Sequence, residues 1–217
     1  MADYPGAIEM LVPSEYVFPN AEGHTRRFLV LHKSAGGSSA KEEAEYFQNG
    51  SDGRHVSSHY IVGQDGAIVQ CVKEVDGASG NCCLEPGHAA YWPTDININL
   101  ISFSIESVDA SIENVTAMPA AQKNALFPLV KSICERHNIP MWAADIDGGI
   151  AGHNSLEPQS RGHCPGNFPW SELWDYLRPK EQPTSMSDHI VHLPQHFQYV
   201  YQFQAGLSQY TFVAACL

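Results

Sequence analysis

The stretch that decides the fold is LISFSIE, residues 100–106, in which apolar and polar side chains alternate. Ile101, Phe103 and Ile105 would share one face of a β-strand, because successive side chains of a strand point to opposite faces of the sheet. The serines between them and Glu106 would share the other face. The pattern therefore predicts a strand with one core face and one polar face, and it directs the Glu106 carboxylate out of the sheet beside the serines.

Segments on the N-terminal side of this strand predict further strands and a helix. The apolar run FLVLH, residues 28–32, is typical of a buried strand. A capping-box pattern that starts at Ser39 predicts a helix that continues to Phe47. Residues 59–62 and 67–72 flank the turn sequence GQDG and predict a β-hairpin.

Segments on the C-terminal side predict two more helices. Apolar residues at helical spacing predict a helix from Pro119 to His137, which Pro128 is expected to kink or delay. A short final helix is expected from Trp170 to Leu177. Strands and helices thus alternate along the chain, which predicts a mixed α/β domain.

The domain organisation follows from changes in composition along the 217 residues. Residues 1–24 lack sustained periodicity and predict an arm laid over the domain that residues 25–180 form. Residues 181–217 begin as a linker and end as an apolar tail, which is expected to pack on the domain or to continue in a longer parent chain. Residues 204–216 faintly resemble the start of a papain-like peptidase, but about thirty residues cannot build such a domain.

Composition and charge exclude several classes of partner. An apolar fraction of 43% and a net charge of −12 describe a globular domain unsuited to binding nucleic acid or an anionic membrane by charge. No apolar run could span a bilayer, and the N-terminus does not resemble a signal peptide. We therefore expect a monomer that is cytoplasmic as made and that acts outside the cell only if it is released. The six cysteines show no repeated CxxC spacing and predict free thiols.

Two histidines and a cysteine crowd the segment GHNSLEPQSRGHCPGNFPW, residues 152–170. His153 and Cys164 could both bind a metal, and His32, at the end of the first apolar strand, could supply a third ligand. Two imidazoles and one thiolate suit catalytic zinc, which takes three protein ligands and keeps one open position. The residues alone leave a second interpretation open, in which the histidines and the thiol only fill the core.

Six segments, in consistent order, resemble those of the zinc-dependent N-acetylmuramoyl-L-alanine amidases of type 2, a family that includes phage endolysins, cell-wall recycling enzymes and peptidoglycan recognition proteins. The segments are VLHKS, VSSHYIVGQDGAIVQ, PGHAAYW, NLISFSIE, AGHNS and HCPGNFPW. The resemblance extends from Arg27 to Leu177. It implies a central mixed β-sheet with helices on both faces. It also implies hydrolysis of the amide bond between N-acetylmuramic acid and L-alanine in peptidoglycan or its fragments.

The resemblance also assigns roles to individual residues. It implies Zn²⁺ bound by His32, His153 and Cys164, and Glu106 as the catalytic carboxylate that transfers the proton. The alternative for Glu106 is a solvated carboxylate on the polar face of the strand. One branch of the family has a catalytic tyrosine where this chain has Ser58, so the chain resembles the branch that uses a glutamate.

The family pattern fails at one catalytic position. The glutamate branch often carries a lysine two residues before the last metal ligand, and this chain has Gly162 there. We expect Arg161 to stabilise the oxyanion in place of that lysine, with His163 as the alternative cation. A third possibility is that the metal alone polarises the carbonyl.

The resemblance gives weaker predictions for substrate binding. His88 is expected to line the substrate groove, with Trp92 and Asn99 as further wall residues, although all three could be ordinary loop residues. Some recognition proteins keep the fold, lose a zinc ligand and only bind peptidoglycan, so a non-catalytic binding module is the alternative function. The discriminating feature is the cysteine ligand, and Cys164 is present.

Overall fold

A computed structural model describes residues 1–37, 39–81, 83–178, 200–204 and 210–214. The chain divides into two compact units, Met1–Arg178 and Pro179–Leu217. In the second unit, strands Val200–Gln204 and Tyr210–Ala214 pair in antiparallel fashion. The predicted linker that follows residue 180 lies outside the described residues. No helix in the described part of the chain is long and apolar enough to cross a membrane.

The described residues of the first unit form eight strands and four α-helices. The strands are β1 (Ile8–Glu9), β2 (Val17–Phe18), β3 (Phe28–Ala35), β4 (Tyr60–Val62), β5 (Ile68–Gln70), β6 (Gly77–Ala78), β7 (Ser102–Asp109) and β8 (Gly149–Gly152). The helices are α1 (Ala40–Gln48), α2 (Ile98–Ile101), α3 (Ala120–His137) and α4 (Trp170–Leu177). Strands and helices alternate, as the sequence predicts.

Six strands form one mixed sheet in the order β1-β5-β4-β7-β3-β8. All neighbours are parallel except the β4–β5 hairpin, which is antiparallel. One face packs on α3 and α4 through a core that contains Phe103, Ile105 and Leu129. The other face packs partly on α1, where Ile61 and Phe47 belong to one buried cluster. The expected mixed sheet with helices on both faces is confirmed.

The decisive strand differs from its prediction in two ways. It begins at Ser102, because the residues from Ile98 to Ile101 form the short helix α2. Its polar face is also buried, because the segments that contain Ser58 and Asn81 pack against it. The buried serines are satisfied by hydrogen bonds, as when Ser102 Oγ donates to the Ile98 carbonyl at 2.6 Å. Only Glu106 is partly accessible on this strand.

The other predicted elements form close to their expected bounds. Strand β3 extends beyond His32 to Ala35, and the side chain of Ser39 caps α1 by accepting a hydrogen bond from the Glu42 amide at 3.4 Å. Helix α3 begins directly after Pro119 and includes Pro128, so the internal proline neither delays nor ends it. Helix α4 has the predicted bounds.

The N-terminal arm adds a strand to the edge of the sheet. β1 pairs in parallel with β5, and the backbone amide of Asp3 donates to the side-chain oxygen of Gln70 at 2.7 Å. Hydrogen bonds therefore attach the first part of the predicted arm to the edge of the sheet.

Candidate metal centre and active-site cleft

The carboxyl ends of three parallel strands bring the predicted site residues together. His32 on β3 lies directly opposite Glu106 on β7, and Leu31 lies opposite Gly152, the last residue of β8. His153 follows Gly152 at once, so both histidines emerge at the same edge of the sheet. Ligand sites in open α/β sheets form at this edge.

Cys164 completes a compact cluster with the two histidines. One potential ligand atom from each of His32, His153 and Cys164 lies within 4.8 Å of the other two, and all three residues are buried. The Nδ1 atoms of the two imidazoles are 3.0 Å apart. The sequence predicted these three residues as a set, and the fold assembles them from segments more than a hundred residues apart.

Asn81 fixes the tautomer of His32. The Nδ2 group of Asn81 donates to the carbonyl of Phe103 at 3.1 Å and to Ser102 Oγ at 2.8 Å. Since a carbonyl can only accept, the Oδ1 atom of Asn81 must be the one that faces His32 Nε2 at 2.7 Å. His32 therefore carries its proton on Nε2, and its Nδ1 atom has a free lone pair.

Glu157 has the same effect on His153. Its Oε1 atom lies 3.1 Å from His153 Nε2, and a carboxylate accepts from an N–H group there. The Nδ1 lone pairs of both imidazoles thus point at the same small volume. Burial, and next the charge of the neighbouring His153, lower the pKa of His32 well below its ordinary value, so the Nδ1 atom of His32 keeps its lone pair at neutral pH.

Cys164 presents its sulfur to the same volume. Its Sγ atom lies 3.5 Å from the backbone amide of Lys33, which can donate to a thiolate. Burial, and then the charge of Glu106, raise the pKa of the thiol to about 12. A thiolate at this position therefore needs a cation beside it, and zinc-bound cysteine is deprotonated.

Glu106 lies next to the cluster, and its carboxylate has unused hydrogen-bonding capacity. Its Oε1 atom is 3.8 Å from His32 Nδ1, and its Oε2 atom is buried without a hydrogen-bond partner among the described residues. Burial raises the pKa of Glu106 well above its ordinary value, and the nearby Glu43 raises it further, whereas Arg161 lowers it. A carboxyl group in this setting holds a proton up to a higher pH than an exposed glutamate does.

The cluster lies on the wall of a cleft of about 550 Å³. The residues that line it include His32, Lys33, Ser34, Glu42, Glu43, Tyr46, Arg54, Ser57, Ser79, Glu106, Asn114, His153, Glu157, Arg161, His163 and Cys164. Arg161 and His163, the two candidate cations, thus face the same space as Glu106. Arg161 Nε lies 3.9 Å from Glu157 Oε2.

His88, Trp92 and Asn99, the three predicted groove residues, lie outside the set of residues that line this cleft. Trp92 is buried against Phe28 and donates from Nε1 to Ser155 Oγ at 3.1 Å. Asn99 is also buried, and its Oδ1 atom accepts from the backbone amide of Asn81 at 2.9 Å. His88 lies half-buried on the loop before α2, with Nδ1 3.1 Å from the carbonyl of Ala89.

Several residues of the site have no counterpart in the sequence predictions. Glu157 could have been inferred, because it follows His153 by four residues. No sequence pattern around Asn81 indicates a role for it, and the position of its side chain depends on how the loop before α2 folds against β7. Glu43 and Arg54 lie on the cleft wall, and the sequence alone predicts only that Glu43 lies in a helix.

Comparisons with known proteins bear on this site. Residues 22–167 match the sequence profile of the family described as N-acetylmuramoyl-L-alanine amidase. None of the curated proteins matches the chain. Among solved structures, a selenomethionine derivative of AmpD is similar with a TM-score of 0.63 at 18% identity, over 82% of this chain and 99% of that one.

Two further structures share the fold. The N-acetylmuramoyl-L-alanine amidase LysC from Clostridium intestinale URNW aligns with a TM-score of 0.55 at 20% identity, over 82% of this chain and 100% of that chain. The catalytic domain of XlyA aligns with a TM-score of 0.54 at 18% identity, over 79% and 98%. At these identities the structural matches establish the common fold, and the sequence profile establishes the relationship.

Proposed function

The chain belongs to the N-acetylmuramoyl-L-alanine amidase family, whose reaction is hydrolysis of the amide bond between N-acetylmuramic acid and L-alanine in peptidoglycan, and we propose that its metal centre is a zinc site. The ligands are His32 and His153, through Nδ1, and Cys164, through Sγ. The rest of the catalytic machinery is Glu106 and Arg161.

One observation carries the zinc assignment. The Nε2 protons of His32 and His153 are held by Asn81 and Glu157, so two Nδ1 lone pairs face each other at 3.0 Å. A metal cation bound by both atoms and by the nearby thiolate removes the repulsion between two lone pairs at this distance. Two imidazoles, one thiolate and an open cleft fit catalytic zinc better than magnesium or calcium, which prefer oxygen ligands.

The outer contacts support the same assignment. Histidine ligands of metals almost always donate their second N–H group to a carboxylate or another acceptor, which orients the ring. Glu157 supplies a carboxylate and Asn81 supplies an amide oxygen. When bound, zinc supplies Lewis acidity, which polarises a substrate carbonyl and makes water a better nucleophile at neutral pH.

Glu106 is placed to move the proton. It lies opposite His32 on the adjacent strand, and its burial keeps a proton on the carboxyl group to a higher pH than usual. Such a group can accept a proton from the attacking water and then give it to the amine of L-alanine as the bond breaks.

Arg161 is placed to stabilise negative charge. Arg161 lines the cleft together with Glu106, and its charge lowers the pKa of Glu106, which supports this role. Its N–H groups can donate to the oxyanion that forms on the attacked carbonyl. His163 faces the same cleft and is the alternative donor.

The three ligands and Glu106 together favour an enzyme over the non-catalytic binding module. A digest of purified peptidoglycan with the purified chain, followed by mass spectrometry, tests the proposal. We expect stem peptides with a free L-alanine amino terminus and glycan chains without peptides. A chelator should abolish the reaction and added zinc should restore it.

The matched variants are Cys164→Ser and Cys134→Ser. Both cysteines are buried, but Cys134 lies on α3. Only Cys164→Ser should lose zinc and activity. Cleavage of a different bond, or activity that persists after complete metal removal, would refute the proposal.

A further inference from the structure

Asn114 occupies a junction beside the metal centre, although it is not a candidate ligand. It lies in the segment that connects β7 to α3, is 2% exposed and reaches the wall of the cleft. Its backbone is left-handed, with φ at 56°. The Asn114 carbonyl accepts from the amide of Asn167 at 2.9 Å, which attaches this segment to the loop that carries Cys164.

The side chain of Asn114 makes a second and more direct attachment. Its Nδ2 group donates to the carbonyl of Lys33 at 3.0 Å and to the carbonyl of His163 at 3.3 Å. Both partners can only accept, so the orientation of the amide is fixed. Lys33 directly follows His32 and His163 directly precedes Cys164, so one NH₂ group joins the neighbours of two metal ligands.

Lys33 anchors the same junction from inside the protein. Its ammonium group forms a buried ion pair with Asp109 and donates to the carbonyls of Thr116 at 2.9 Å and Asn167 at 3.4 Å. These contacts connect the ends of β3 and β7 with the two loops that follow β7 and His163. The attachment of Asn114 is thus made to a rigid base, not to a free loop.

We propose that Asn114 is a positioning residue that sets the distance between Cys164 Sγ and the His32 ring, and so tunes the metal affinity of the site. The proposal rests on the proposed zinc site. The physical reason is that the cysteine lies on a loop, whereas His32 lies on a strand, and the Asn114 amide is a bridge of fixed length between the two. Without this bridge the loop keeps its backbone contacts, such as the bond from the Asn154 amide to the Cys164 carbonyl at 2.8 Å, but it loses its side-chain link to β3. The sulfur can then shift relative to the His32 ring.

The test is Asn114→Gly, with Asn138→Gly as its control. Glycine adopts the left-handed backbone without strain, so the first variant removes the side-chain bridge and keeps the chain path. Asn138, at the end of α3, has a φ of 55° and is exposed. Asn138→Gly is therefore the same substitution in the same backbone conformation, but away from the cleft.

Two metal readouts separate positioning from general stability. We expect Asn114→Gly to weaken zinc binding about tenfold or more in competition with a chelator, as losses in the outer sphere of metal sites typically do. The thiolate-to-metal charge-transfer band of the Co²⁺-substituted protein should lose intensity or shift. Asn138→Gly should leave both unchanged. Equal zinc affinity and an unaltered cobalt spectrum in Asn114→Gly would overturn the proposal, even if its melting temperature fell.

A second pair covers the case in which Asn114→Gly does not fold. Asn114→Ser keeps a polar side chain that is too short to reach the carbonyls of both Lys33 and His163, and Asn138→Ser controls for the strain of serine in the left-handed region. The serine variant at 114 should bind zinc less tightly than its control does, and equal affinity would again overturn the proposal. Failure of the unaltered chain to bind zinc or cobalt would refute the zinc site itself. That result differs from metal binding that is the same with and without the Asn114 side chain.

Discussion

Glu74 and Glu106 are both largely buried beside histidines, and their pKa values are shifted in opposite directions. Burial tends to raise the pKa of Glu74, but hydrogen bonds from His137 and Tyr60 and the charge of Arg136 prevail and lower it to about 2. His137 Nε2 lies 2.7 Å and Tyr60 Oη 2.6 Å from the Glu74 carboxylate, and Arg136 is paired with it. Glu74 is thus held as a carboxylate with both oxygens occupied.

Glu106 shows what the same residue becomes without such partners. Burial raises its pKa well above the ordinary value and Glu43 raises it further, with only Arg161 acting against them. One of its oxygens has no hydrogen-bond partner within the described part of the chain. A buried carboxylate whose oxygens all have hydrogen-bond partners stabilises the fold. A buried carboxylate with an oxygen that lacks a partner, beside an open cleft, is available to exchange protons.

The largest expected effect comes from Glu106→Gln. The amide is the same size but cannot accept a proton, so we expect kcat to fall by about 10²–10⁴-fold. Zinc content should stay at the level of the unaltered chain. Steady-state hydrolysis of a soluble muropeptide and metal analysis of the same sample are the measurements. A kcat within twofold of the original would contradict the proton-transfer role.

Glu74→Gln should give the reverse result, with lost stability and a retained metal site. The substitution leaves Arg136 without its carboxylate partner, and we expect the free energy of unfolding at neutral pH to fall by about 2–3 kcal/mol. Denaturant unfolding measures the loss. A matched determination on Glu106→Gln should show no comparable loss, because that carboxylate has few partners to lose. Equal destabilisation of the two variants would remove the distinction between them.

The pH dependence sharpens the same comparison. Because the folded-state pKa of Glu74, about 2, lies below the ordinary value of 4.5, its contribution to stability is fully present above about pH 4.5. It is lost as the pH falls towards 2. The stability difference between the unaltered chain and Glu74→Gln should therefore shrink between pH 5 and pH 2–3, as measured by urea titrations at each pH. A difference that stayed constant over this range would mean that Glu74 is not held as a carboxylate.

A smaller effect is expected from Arg161→Ala. Loss of one oxyanion donor costs about 10²–10³-fold in well-studied enzymes, but Arg161 is 45% exposed along its side chain, so we expect a decrease in kcat of about tenfold or more. KM and zinc content should change little. His163→Ala is the paired variant. A loss of kcat in His163→Ala alone would assign the role to that histidine. No loss in either variant would mean that the metal alone polarises the carbonyl.

The smallest effect is expected from removing residues 181–217. The site residues all lie in the unit Met1–Arg178, so a chain that ends at Lys180 should keep its zinc and its kcat on soluble muropeptide within about twofold. Kinetics on that truncated chain measure the effect. A folded, zinc-loaded truncation without activity would show that the tail takes part in the chemistry.

Much of the fold could be predicted because local patterns determine it. The alternation in residues 102–106, the capping box at Ser39 and the helical spacing that ends at His137 each specify an element from neighbouring residues. The start of β7 was missed because Leu100 and Ile101 continue the alternation, although they form part of a helix. That its polar face is buried could not be predicted, because burial depends on which other segments of the chain pack over that face.

The site was predictable where the residue type itself indicates chemistry. His32, His153 and Cys164 are potential metal ligands in any context, and their order along the chain matched the family. Asn81 and Asn114 could not be found in this way, because an asparagine in a loop has no distinctive pattern. Their contacts are with backbone carbonyls and a ring nitrogen, and these exist only once the loops have folded against the sheet.

X-ray absorption at the zinc edge tests the central claim most directly. A site built from His32, His153 and Cys164 predicts one sulfur neighbour at about 2.3 Å and two imidazole nitrogens at about 2.0–2.1 Å, with an oxygen neighbour in the open position. Cys164→Ser is expected to lose most of its zinc, and any zinc that it retains should show no sulfur neighbour, whereas in Cys134→Ser the sulfur contribution should remain. A spectrum without sulfur in the unaltered chain, or with sulfur retained in Cys164→Ser, would contradict the account.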